Sequence, residues 1–444
     1  MWLIKMFNQR NILAFLSQPV YSQVLRRGAL YRTIMQRDRI EDYQLGHFNE
    51  VWVDAWTNLP FYRQWKDENH LPDGITDLRE LSEWPIVRKH DLQTAGDMLL
   101  RCGIKPTHYL KTGGSTGQPL CLGAWQDGGI ASSSQWLGRA AYGYYPGIRT
   151  FLLWGHEHLY GTGVGRRVKV LERRVKDRLS NICRVSAYDL SAEAMERAFA
   201  QFEAYRPDCV IGFAAAVLAF SRVNAARGER VQRRPQFVMC TAGPLSKSEK
   251  GEIEGFFGAN VCMEYGSVEC SVMGYTEPGS SGYGVFWDTH LIQGEKDPEG
   301  GCRNIVTRLT SCYVPLIRYD VGDYIDIEAD ADSHLRLVDV KGRPSDIVRL
   351  SDGTAFFGAL IGDCVKQVDG VLANQVFVYA NGIEIHVTSS RALTPGDFAV
   401  IRNRLEIVVP RLRIEKVKIQ SVPSLMVTVG GKVPLVVHCE NMKL

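Results

Sequence analysis

Between Tyr109 and Asp323 the sequence alternates short apolar runs with amphipathic segments, and this alternation constrains the fold more than any other feature. "TFLLWG" (Thr150 to Gly155) is a continuous apolar run of buried-strand length. "DLSAEAMERAFAQFEAYRP" follows as a helix, with Ser191 as N-cap, Leu190 and Met195 at hydrophobic-staple positions and Pro207 as its stop. Met195, Phe199 and Phe202 share one face of that helix, as core contacts do. "DCVIGF" then reads as a strand, "AAAVLAFSRVNAA" as a helix and "QFVMCTAG" as another strand. The pattern predicts an α/β fold.

The first hundred residues read as helical and aromatic-rich, and a polar break falls near "DVKGRPSDIVRLSDG". Beyond it, "VLANQVFVYANGIEIHVTS" predicts two strands around an Asn-Gly turn at Asn381 and Gly382. "PGDFAVIRNRLEIVV" predicts a helix ended by Pro410, and "RIEKVKIQSV" a last strand. The expected organisation is a large, multi-subdomain α/β amino-terminal domain (1–341) with a smaller, mobile α+β carboxy-terminal domain (342–444). The net charge of +3 over 444 residues gives no support for nucleic-acid binding. Eleven cysteines without C-x-x-C pairs fit reduced thiols rather than a disulfide framework or a zinc ribbon. The amino-terminal "MWLIKMFNQRNILAFLSQPVYSQVLRR" is broken by Lys5, Arg10 and Gln18, and no run of about 18 apolar residues occurs anywhere. A cytoplasmic protein without a membrane span is the expectation.

"KTGGSTGQPL" places Thr112, Gly113, Gly114, Ser115, Thr116 and Gly117 in one loop. Such a loop offers inward N–H groups, close backbone approach and hydroxyl donors, which are the needs of a phosphate cradle. It is not the G-x-x-x-x-G-K-[ST] loop: no lysine follows Gly117, and "QPLCLG" reads as a strand rather than a helix. Taken alone it equally suits a polar turn. Downstream lie "TAGPLS" (Thr241 to Ser246), "EYGSVE" (Glu264 to Glu269), "PLIRYDVGD" (Pro315 to Asp323), "KGRPSDIVRLSDG" (Lys341 to Gly353) and "VGGKVPL" (Val429 to Leu435). In this order the set resembles the adenylate-forming superfamily of acyl-CoA synthetases, adenylation domains and luciferases. Within it the phenylacetate–CoA ligase and capsule-biosynthesis-like branch fits best, and the resemblance spans nearly the whole chain.

The resemblance implies an ATP-dependent ligase that forms an acyl-adenylate and passes the acyl group to a thiol, coenzyme A in the phenylacetate–CoA ligase pattern. It implies that Thr112, Ser115 and Thr116 hold the β- and γ-phosphates, and that Glu269, with Thr116, attends a magnesium ion. Asp323 matches the acceptor for the ribose hydroxyls, a task that suits an ionised carboxylate. Arg343 matches a further ribose or phosphate contact, Tyr265 is expected beside the adenine with Gly243 and Pro244 on its other side, and Glu264, Gly266 and Ser267 are implied among the nucleotide-binding residues. Lys432 matches the lysine that offsets repulsion between carboxylate and α-phosphate. Trp154, His156 and Gly266 are expected to line an acyl pocket for an aryl or other compact acid. Arg318 resembles a family residue, with a plain brace of the aspartate loop as the alternative.

Two departures matter. Leu120 stands where many relatives carry a lysine, and "GRPSD" places Pro344 and Ser345 where relatives commonly have G-R-x-D-D. Proline fixes its own φ and restricts Arg343, which puts rotation to a thioester-forming state in question. The acceptor therefore stays open among coenzyme A, a carrier-protein thiol, an amine and the nitrite chemistry of diazo-forming relatives. A phosphotransferase or a non-catalytic nucleotide-binding protein are the readings from other classes. His156, Glu157 and His158 invite a metal reading, but neighbours on an extended segment share a site poorly. Cys262, Cys270, Cys302 and Cys312 read better as inert thiols than as zinc ligands. A homodimer is the expected oligomer only as the commonest closed symmetry.

Overall fold

The computed structural model describes residues 18–34, 37–111, 120–125, 129–145, 147–155, 164–187, 192–241, 245, 247–280, 282–296, 302–329, 335–341, 347–350, 355–357, 359–365, 368–379, 382–389, 391–409, 412, 416–423, 425–426 and 436–439. The chain divides into two compact units. One comprises residues 1–112, 120–146 and 262–343, the other residues 113–119, 147–261 and 344–444.

In the first unit an antiparallel ladder runs in the spatial order His290–Lys296, Cys302–Arg308, Tyr319–Ala329, Leu335–Lys341, Tyr283–Val285, Ser271–Thr276, Val261–Ser267. Its buried face is covered by the helical amino-terminal region, whose helices include Arg37–Asn58 and Pro60–Glu68. These helices supply Phe48, Trp52 and Trp65, which meet Trp84 edge-on, and Tyr62, which joins the same cluster through Trp52 and Trp65. Large flat side chains fill this layer with little loss of rotamer freedom, and edge-to-face pairs add attraction beyond area burial. The cluster delivers Val87 to the sheet. Its N–H donates to the Arg318 carbonyl (2.9 Å), and its carbonyl accepts from the Asp320 N–H (2.9 Å). Tyr62, fully buried, donates its hydroxyl to the Pro315 carbonyl at 2.6 Å. A second brace is ionic: Arg27, on the helix Gln18–Thr33, grips Asp288 through two bonds of 2.6 and 2.8 Å, and Tyr31 donates to the same carboxylate.

In the second unit four parallel strands lie in the order Phe237–Thr241, Cys209–Phe213, Thr150–Trp154, Ile182–Ser186. The expected strand–helix alternation is present. The helix Ala192–Tyr205 buries Met195, Phe199 and Phe202, and Ala214–Ala226 connects two neighbouring strands. Phe151, Phe202, Phe220 and Phe257 pack ring against ring and are fully buried. One helix, Val164–Leu179, precedes the strand Ile182–Ser186 and does not figure in the sequence reading.

Residues 344–444 carry a mixed sheet ordered Val417–Ser421, Gly382–Ser389, Val371–Tyr379, Val436–His438. The helices Ala359–Val365 and Pro395–Val408 place Ile361, Cys364, Ile401 and Leu405 in one core with Val376, Ile383, Ile385 and Val387 of the sheet. Thr394 and Asp397 close a capping box, with Pro395 at the first helical position. The expected β-β-α-β order is present, with the additional strand Val436–His438 beside the first. Among the described residues no helix is long and apolar enough to cross a membrane.

Tyr62 ties the aromatic layer to the segment that begins at Pro315. Tyr62→Phe keeps the ring and strands a buried carbonyl, so it is expected to destabilise this unit by about 1–2 kcal/mol. Thermal melting and amide exchange at residues 315–320 read the loss; unchanged protection there would remove the tie from the account.

Candidate active site

The strands Val261–Ser267 and Ser271–Thr276 form a hairpin that carries "EYGSVE" at its tip. Gly266 is required by close approach: a Cβ there would meet the Ser271 carbonyl oxygen at 2.4 Å and Val272 Cα at 2.9 Å. Across the turn, the Cys270 N–H donates to Ser267 Oγ at 3.0 Å, and Ser271 takes a left-handed φ of 67°. Glu264, buried, receives Arg139 of the helix Ile130–Ala140 through bonds of 2.7 and 3.0 Å. That bidentate pair fixes one strand of the hairpin against the helix.

Tyr265 points into the core, and its hydroxyl donates to Asp323 Oδ2 at 3.0 Å. The same hydroxyl accepts from Asn304 Nδ2 at 2.7 Å, so its proton is directed at the carboxylate. Burial, then the Asp323 charge, holds the Tyr265 phenol well above its ordinary pKa, so it remains a neutral donor. Asp323 is thereby oriented by a residue 58 positions earlier in the chain. The approach to it is shaped by Gly322 at φ 85°, whose N–H donates to Asp320 Oδ1 at 2.8 Å. Arg318 occupies a left-handed conformation (φ 49°) with a fully buried side chain. Its guanidinium donates to Gln293 Oε1 (3.2 Å) and Glu295 Oε2 (3.4 Å), and its N–H to Thr307 Oγ1 (2.9 Å). A non-glycine residue held at such a φ costs about 1–2 kcal/mol, which these bonds offset.

Glu269 lies within the turn and is buried. Its Oε1 accepts from the Tyr319 hydroxyl at 3.2 Å, and its main-chain carbonyl from Arg308 Nη1 at 3.3 Å. The next carbonyl, of Cys270, is bonded by His290 Nε2 at 2.8 Å. Glu269 Oε2 has no hydrogen-bond partner among the described residues. A carboxylate on a buried residue with one oxygen unbonded by the described residues fits a magnesium ion, which takes one or two carboxylates and completes its shell with water and phosphate oxygens. Thr116, the other expected magnesium neighbour, lies outside the described residues.

Also outside them are Thr112, Gly113, Gly114, Ser115, Gly117, His156, Glu157, His158, Gly243, Pro244, Arg343, Pro344, Ser345 and Lys432. Trp154 ends its strand with the indole against Phe213, ring centroids 4.5 Å apart. Cys262, Cys270 and Cys312 are buried thiols outside any disulfide, Cys302 is a half-buried one, and the described residues contain no cluster of three metal-ligating side chains. Sequence reasoning missed Arg139, His290, Asn304, Arg308 and Tyr319. Tyr319 lies inside a quoted motif, but the others announce themselves only through partners 20 to 125 residues away.

His290 is buried with Nδ1 on Thr289 Oγ1 (2.9 Å), and burial, reinforced by the charge of Arg308, pushes its pKa down to about 3. An unfolded histidine titrates near 6.5. Between about 6.5 and about 3 the unfolded chain therefore binds the extra proton, and stability falls as pH is lowered through that window. His290→Gln retains a donor for the Cys270 carbonyl without titrating. Its melting temperature is expected to fall less than that of the wild type between about pH 7 and about pH 5. Parallel curves would contradict the assignment.

No protein-family model matches the sequence. Protein CapK of Staphylococcus aureus is 19% identical over 344 residues, covering 76% of this chain and 75% of CapK. A structure of 2-hydroxyisobutyryl-CoA ligase with 2-HIB-AMP and CoA in the thioesterification state superposes with a TM-score of 0.58 at 17% identity, covering 90% of each chain. The same ligase in its postadenylation state with R3-HIB-AMP gives a TM-score of 0.56 at 16% identity and 91% coverage of each. These likenesses agree with the order of the sequence motifs, and the chain has the fold of the adenylate-forming ligases.

Proposed function

We propose that the protein is an ATP- and magnesium-dependent, AMP-forming ligase that activates a small carboxylic acid. The observation that carries this reading is the pairing of Asp323, oriented by Tyr265 and Asn304, with the buried, partly open carboxylate of Glu269 in one unit. Vicinal ribose hydroxyls need an ionised acceptor fixed in place, and Asp323 meets that need. Glu269, with Thr116, would hold magnesium, which when bound neutralises charge on the phosphate oxygens. Thr112, Ser115 and the backbone of Gly113, Gly114 and Gly117 would cradle the β- and γ-phosphates. Gly243, Pro244, Gly266 and Ser267 would wall the adenine, and the Glu264 carboxylate, engaged by Arg139, would act by holding that wall.

In the first half-reaction a carboxylate oxygen attacks the α-phosphorus of ATP and the bond to the bridging oxygen breaks, releasing pyrophosphate. Lys432 and Arg343 would face the two anions as they meet. In the second, an acceptor sulfur attacks the acyl carbon, its proton is lost, and AMP leaves with the bonding pair. The fold likeness to a CoA ligase supports a thiol acceptor, with coenzyme A first. Pro344 and Ser345 support the second reading, an adenylating enzyme with a carrier-protein thiol or an amine as acceptor. The acid pocket would include Trp154 and His156. We place the boundary between the nucleotide-binding and lid domains at 341/342. The separate core running from Val348 to Val436 supports it.

Exchange of labelled pyrophosphate into ATP across a panel of aryl and small aliphatic acids tests the reading. At least one acid should support exchange, and Lys432→Ala should lower it by about a hundredfold or more. Asp323→Asn should raise the KM for ATP about tenfold or more, since it removes charge-assisted bonds. Formation of ADP in place of AMP, or exchange indifferent to Lys432, would overturn the assignment.

A further inference from the structure

The helix Val164–Leu179 presents an apolar stripe to solvent. Val168 is 60% exposed, Leu171 63%, Val175 51% and Leu179 59%. In a helical projection the four fall within about 80° of arc, with Arg174 and Arg178 bordering one side and, on the other, Glu172, which Lys176 engages at 2.6 Å. All three basic side chains are exposed. The helix holds seven Lys and Arg against Glu172 and Asp177, a surplus of +5, whereas the whole chain is +3 and the remainder therefore −2. Cationic charge is thus concentrated on this one element.

The opposite face is pinned. Asp177 is buried and accepts from Arg184 of the following strand through two bonds of 2.7 and 2.8 Å. The helix leaves through Asn181 at φ 51°, whose side chain donates to the Gly147 carbonyl at 2.8 Å. Rolling the stripe inward would break a buried ion pair, so its exposure is built in. On that pinned side lies a cleft of about 890 Å³ whose lining includes Arg173, Arg174, Arg178 and the Asp177–Arg184 pair.

We propose that this helix seats the protein on an anionic lipid surface. Valines and leucines enter the headgroup–acyl boundary while the flanking Arg174 and Arg178 engage lipid phosphates. The observations favour lipid over a protein partner. The stripe is wholly aliphatic and lacks the aromatic anchors that dominate protein interfaces, and positive charge unpaired among the described residues borders it at Arg174 and Arg178. Aliphatic side chains on one short helix give weak, reversible and salt-sensitive attachment. The proposal does not depend on the catalytic reading.

Co-sedimentation of the full chain with vesicles tests it, using phosphatidylcholine alone and phosphatidylcholine with about one third phosphatidylglycerol. Binding is expected to the anionic vesicles only and to weaken as salt is raised. The double variants Leu171→Asp/Val175→Asp and Arg174→Glu/Arg178→Glu should each lower it about tenfold or more. Both alter exposed side chains, and unchanged circular dichroism and melting would confirm intact folding. Absence of binding, equal binding to neutral vesicles, or a solution dimer abolished by Leu171→Asp/Val175→Asp without vesicle binding would each overturn the proposal.

Discussion

The position of Asp323 depends on a short segment, residues 315–320, that is held by more main-chain bonds than its own strand supplies. Val87 bonds both sides of Tyr319, Tyr62 takes the Pro315 carbonyl, and Thr307 takes the Arg318 N–H. Only such over-determination keeps Arg318 in a left-handed conformation with its side chain buried. The aromatic layer of the amino-terminal helices is therefore more than a cover for the sheet. It sets where the aspartate strand begins, and the Tyr265–Asn304 pair sets where its carboxylate points.

How much of this was legible in the sequence follows from what burial demands. Strands covered on both faces must be apolar throughout, so Thr150–Trp154, Cys209–Phe213 and Phe237–Thr241 stand out without any structure. The helix Ala192–Tyr205 declares its core face through Met195, Phe199 and Phe202. Val164–Leu179 does not, because Val168, Leu171, Val175 and Leu179 face water and charged residues separate them. A rule that looks for the side facing a core has nothing to find there.

The site divides in the same way. Glu264, Tyr265, Gly266, Glu269 and Asp323 were legible because they sit in compact motifs, and the geometry explains the glycine as a steric need of the hairpin. Arg139, His290, Asn304 and Arg308 were not, because such a polar residue on a helix or strand looks the same whether it meets solvent or a buried partner. Their task exists only once the chain brings partners far apart in sequence within hydrogen-bond reach. His290 illustrates the point: it holds a carbonyl next to Glu269, yet nothing around "DTHL" marks it.

On the proposed reading the catalytic labour is unevenly distributed, and the physics explains why. Asp323 and Glu269 are braced by neutral hydroxyls, a buried amide and main-chain bonds, so little reorganisation is needed when nucleotide and metal bind. Such groups stabilise bound ATP and the transition state alike, and uniform stabilisation does not by itself accelerate the chemical step. Acceleration must come from charge that engages only as carboxylate and α-phosphate converge. In this chain that task falls to Lys432 and Arg343, near or beyond the proposed 341/342 boundary. Loss of a brace at Asp323 should then appear mainly in KM, and loss of Lys432 mainly in kcat. A stiffened Pro344–Ser345 segment acts on neither directly; it bears on which acceptor the activated acid meets.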